Sequence, residues 1–196
     1  MRWSGLKGHI WLFLFGLFMS IIPPGYAVPG HAFDLNAPQH VGIGLTAGSS
    51  YDPSPAFAFA LLHGMAVYDY EDVMQHPAPA DLRFKFEGSI GLSDHAQPRL
   101  LAAGHIFAQY YLSDLAYGAL HPYIEGGIGL IYTDFQIKDQ GLRLNFNPQA
   151  GIGVEWRTPS GPRWYTALRA WHVSNGGLHN DNRGINGVVV QCGRIF

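Results

Sequence analysis

The chain has 196 residues and a formal net charge of −2, with only 13% charged and 14% aromatic residues. That balance leaves no basic footprint for nucleic acid. A single cysteine, Cys192, rules out an intramolecular disulfide framework and reads as an apolar or lipid-facing position.

The opening stretch, MRWSGLKGHIWLFLFGLFMSIIPPGYA, sets Arg2 and Lys7 ahead of an apolar run from Ile10 to Ile22. Gly25-Tyr26-Ala27 closes it with a small-x-small cleavage site, and Gly30-His31-Ala32 offers a second. This is the pattern of a cleaved secretory signal peptide over residues 1–27, too short and wrongly flanked for a spanning anchor. Residues 28–196 then form one domain. No later apolar run approaches the roughly 18 residues a spanning helix needs. The choice is therefore between a soluble exported domain and a transmembrane β-barrel.

Alternation with period two decides between them. It starts at His40–Leu45 and continues, more uniformly apolar, over Ala56–Val67. Across Leu82–Leu92, Leu82, Phe84, Phe86, Ile90 and Leu92 form one face, and Arg83, Lys85 and Glu87 the other. Further runs span Leu100–Leu112 and Pro122–Phe135. The clearest covers Leu142–Trp156, where Leu144, Phe146, Ile152 and Val154 oppose Arg143, Asn145, Asn147 and Glu155. The last two extend from Arg163 to Ser174 and from Ile185 to Phe196. Eight such runs predict an all-β fold, an eight-stranded antiparallel transmembrane β-barrel, with the charged faces paired inside a narrow lumen. A soluble lipocalin-like barrel with its apolar face inward is the alternative, and the terminal Phe196 argues against it. Gly126, Gly127, Gly129, Gly151 and Gly153 suit tight curvature. Gln75–Asp81 and Thr158–Pro162 read as turn-rich connections.

Parity on the seventh strand assigns faces. Arg169 is the residue most costly in lipid, so its side is the lumen, and His172 and Ser174 fall on the outer wall. Asn186 shares the outward parity of Phe196 on the eighth strand. With both termini periplasmic, these three residues lie near the outer leaflet, and residues 175–184 form an extracellular loop. A histidine and a serine two apart on one strand face can approach as general base and nucleophile. The competing interpretation is a pair of ordinary polar residues at the membrane interface. Asn180-Asp181-Asn182 is an oxygen-rich turn without the rest of a calcium-loop pattern, and the other histidines show no ligand spacing, so no metal is expected.

The segment HVSNGGLHNDNRGIN resembles the His-x-Ser-Asn-x-Gly signature of the PagL-type lipid A 3-O-deacylases of the acyloxyacyl hydrolase family, which are eight-stranded outer-membrane barrels. PYIEGGIGL is also similar to that family's fifth strand, and the likeness holds over roughly residues 121 to 196. The resemblance implies an outer-membrane esterase that removes the 3-O-linked 3-hydroxyacyl chain from lipid A of lipopolysaccharide. Ser174 would be the nucleophile and His172 its base, with no cofactor. Oxyanion donors would come from the backbone near Asn175 and Gly177 or from the Asn182 amide. Where the best-known deacylases carry a glutamate, this chain has Asn186, which can orient an imidazole but supplies no charge; Asp181 is a substitute within the loop. The partner expected is lipid A or lipopolysaccharide in the outer leaflet, with a homodimer left open. The alternative function is a non-catalytic barrel with a structural or lipid-binding role.

Overall fold

The computed structural model describes residues 38–158 and 161–196; the expected signal peptide and its cleavage sites lie outside them. The described residues form eight antiparallel strands: β1 (His40–Asp52), β2 (Ala58–Asp69), β3 (Leu82–Ser93), β4 (Arg99–Tyr111), β5 (Leu120–Thr133), β6 (Leu144–Phe146 and Gln149–Arg157), β7 (Arg163–Val173) and β8 (Ile185–Ile195). Each pairs with the next, and β8 returns to β1, so the sheet closes on itself. Closure leaves no edge whose backbone groups would need water.

The run read as one continuous strand from Leu142 is interrupted at Asn147-Pro148. Proline has no N–H to give to a ladder. The register is nevertheless continuous, with β5 pairing Phe146 and Gln149 in a single alignment, so the two segments are one strand. A further difference lies between β2 and β3, where the expected loop begins with a short helix, α1 (Tyr70–Met74). The Asp69 side chain caps it by accepting from the Glu71 N–H at 3.0 Å.

Side chains sort by parity. Leu45, Leu62, Ile90, Ile152, Leu168 and Val190 all stand outward and exposed. A continuous apolar wall of this kind fits lipid and not water. Inside, Arg169 donates through Nε to Glu125 at 2.6 Å and through both terminal nitrogens to Glu87 at 3.0 Å. Lys85 pairs with the other oxygen of Glu125, and Gln191 donates to Glu87 at 2.8 Å. Above this layer, Phe57, Phe59, Leu101, Phe135, Trp171 and Val173 belong to an apolar plug at the end where β7 stops. The void beside Glu87, Asn147 and Gln149 is about 10 Å3, room for one water at most. At this level the lumen is filled.

The strand glycines make space more than they bend the wall. A Cβ on Gly127 would meet the Phe107 ring at 2.4 Å, one on Gly129 the His105 ring at 2.3 Å, and one on Gly153 the Tyr123 ring at 2.3 Å. In each case the glycine faces the large residue in register on the adjacent strand. Bulky inward side chains thus fit a narrow barrel because their cross-strand partners have none.

Candidate active site

His172 is the last outward residue of β7, and Ser174 follows it on the same face, about 6–7 Å further along the chain direction. Both are half-buried. The backbone of Ser174 is held to β6 by a two-way bridge: Phe146 N–H donates to Ser174 O at 2.8 Å, and Ser174 N–H to Phe146 O at 3.0 Å. His172 is tied to the same strand, its N–H donating to Pro148 O at 3.2 Å. Asn147 Nδ2 donates in return to His172 O at 2.6 Å. The polar pair is therefore carried by a continued ladder and not by the tip of a free loop.

On the other side, Asn186 of β8 lies in register with His172. His172 Nδ1 and Asn186 Oδ1 are 2.7 Å apart. The Asn186 Nδ2 group donates to Asp52 Oδ2 at 2.8 Å. Asp52 in turn accepts from Arg183, which reaches both of its oxygens. Asp52 is not among the residues the sequence singles out; Asp181, which is, donates its N–H to His179 Nδ1 at 3.0 Å and holds its carboxylate 4.0 Å from the same ring.

Gly184 sits against the imidazole: a Cβ there would stand 2.8 Å from His172 Cε1. A furrow of about 910 Å3 runs over the outer wall past Gly64, Gly88 and Gly104 to Leu130 and Phe146. Phe146 is the residue paired with Ser174.

The loop after Ser174 is built around Asn175, which is only 1% exposed. Its N–H donates to Asn182 Oδ1 at 2.8 Å, its Nδ2 to Asp181 O at 2.8 Å, and its Oδ1 accepts the Gly177 N–H at 2.9 Å. The turn passes through left-handed backbone at Gly176 and Gly177, at φ +64° and +88°, where glycine carries no Cβ penalty. The N–H groups of Asn175 and Gly177, near which the family resemblance puts the oxyanion donors, donate within the loop. Gly176 N–H donates to no group among the described residues, and Asn182 keeps its amide NH2 clear of the bond it accepts. The loop is docked on the β5–β6 connection by Gly141 N–H to Asp181 O at 2.8 Å and Arg183 N–H to Asp139 O at 2.7 Å.

A family model described as Lipid A 3-O-deacylase (PagL) matches residues 70–193. The lipid A deacylase PagL of Pseudomonas aeruginosa is 33% identical over 82 residues, which are 40% of this chain and 45% of that protein. The match thus spans less than half of that curated relative. Among solved structures, the outer membrane enzyme PagL superposes with a TM-score of 0.56 at 19% identity, covering 78% of this chain and 97% of that one. Neisserial surface protein A superposes at 0.59 with 13% identity, covering 80% and 94%. At these identities the structural likeness concerns the barrel alone, and one barrel can host different activities.

Proposed function

The chain belongs to the lipid A 3-O-deacylase family, and on that premise we propose that it is an outer-membrane esterase that removes the 3-O-linked 3-hydroxyacyl chain from lipid A. The observation that carries this reading is a histidine beside a serine on the outer wall, with the imidazole held by a fixed amide. Such a substrate is already in the bilayer, so a pair facing lipid needs no deep aqueous pocket.

In this reading His172 Nε2 takes the proton of Ser174 Oγ as the oxygen attacks the ester carbonyl. The tetrahedral oxyanion accepts hydrogen bonds from the Gly176 N–H and the Asn182 amide. Collapse breaks the bond to the sugar oxygen, which leaves with the proton from His172. A water molecule, deprotonated by the same ring, then releases the 3-hydroxy acid and restores Ser174. The furrow from Phe146 across Gly104, Gly88 and Gly64 supports the reading, because it offers an acyl chain an apolar bed beside the nucleophile.

The test is mass spectrometry of lipid A from a host expressing the wild type or Ser174→Ala. Loss of one 3-hydroxyacyl mass is expected with the wild type and not with the variant, whose activity should fall by at least about 10⁴-fold. Unchanged lipid A with a folded, inserted wild-type barrel would leave the non-catalytic alternative standing.

A further inference from the structure

We propose that Asp52 is the acid of this site, acting on His172 through Asn186 as a positioning and polarising residue. The inference rests on the Ser174–His172 reading above. Asp52, Asn186 and His172 lie in lateral register across three adjacent strands, β1, β8 and β7. By simple alternation Asp52 shares its side with Thr46 and Ser50, both buried in the lumen. The β1–β8 register shifts between Ser50 and Asp52, and this irregularity turns Asp52 out to the face that carries Asn186 and His172. Bulges re-aim side chains in this way, often beside active sites.

The carboxylate settles what Asn186 can do. It only accepts hydrogen bonds, so Asn186 must present its NH2 to Asp52 and its oxygen to the ring. Nδ1 then carries the hydrogen, and Nε2 keeps the lone pair a general base requires. The amide also passes on part of the charge, since a carboxylate on its NH2 makes its oxygen a stronger acceptor for an imidazolium. Arg183 fixes the carboxylate and offsets some of that charge. Gly184, ahead of β8, packs against the ring and brings no charge to it. On the loop, His179 and Asp181 engage each other.

Asp52→Asn separates charge from orientation, because its amide oxygen can still accept from Asn186. Deacylation would be followed with lipid A in mixed micelles, beside the wild type and Ser174→Ala. We expect kcat to fall by about tenfold with KM little changed. The acid limb of kcat/KM should move to lower pH, as it does for any base when a nearby carboxylate is neutralised. Arg183→Met should move that limb the opposite way. In an Asn186→Glu background, where a carboxylate faces the ring directly, Asp52→Asn should cost nothing. Wild-type kcat and an unmoved acid limb in Asp52→Asn would overturn the inference, as would an equal loss in both backgrounds. An inactive wild type would instead remove the esterase reading, and the role of Asp52 with it.

Discussion

Gly184 touches the imidazole it precedes in space, and no residue with a side chain fits there unless the ring moves. Gly184→Ala should displace His172 by a fraction of an ångström to an ångström. A misplacement of that size costs about 100-fold in kcat, while the barrel should keep its heat-resistant migration on a gel. If kcat is unchanged, the ring position assigned here is not the reactive one. At this scale the sequence was partly legible. His172 and Ser174 could be placed outward because one costly residue, Arg169, fixed the parity of β7, and Asn186 because it shares the parity of Phe196 on β8. Asp52 could not be found that way: a single irregularity inverts its side, and no residue type in Ser50-Tyr51-Asp52 announces it. Nor does spacing reveal that Asn175 spends its hydrogen bonds on the loop, since that depends on Asn182 folding back over seven residues.

Among the elements, β2, β3 and β4 bring Gly64, Gly88 and Gly104 into line on the outer wall, Gly64 opposite Gly88 and Gly88 opposite Gly104. A Cβ on Gly88 or Gly104 would meet nothing within 4 Å. Filling the furrow is therefore compatible with the fold. Gly104→Phe should lower kcat/KM toward long-chain lipid A by about tenfold or more, with less effect on a short-chain ester; equal rates on both substrates would mean the acyl chain lies elsewhere. Strand number and order were readable from period-two runs, because each strand has one lipid face and one lumen face. The break in β6 and the helix α1 were not. Pro148 stands on an outward position that fits the alternation, and α1 depends on an Asp69 cap in a stretch that otherwise reads as turn.

For the whole molecule, the buried Arg169–Glu87–Glu125–Lys85 network ties β3, β5 and β7 together across the lumen. Arg169→Met would leave two carboxylates with one cation in an interior shut off from water. Removing one partner of such a pair costs roughly 3–5 kcal/mol. The midpoint of urea unfolding in detergent should fall accordingly, and adding Glu87→Gln to the same chain should recover part of the loss. No recovery would mean that the guanidinium acts by packing on the Phe107 ring, 4.4 Å away, and not by charge.

On the proposed deacylase reading, the filled lumen and the outward His172–Ser174 pair together determine how the chain meets lipid A. Encounter takes place by lateral diffusion within a leaflet, so the governing variable is surface mole fraction and not moles per litre. Adding inert detergent to mixed micelles, with protein and lipid A held constant in the tube, should slow the reaction in proportion to the dilution of the surface.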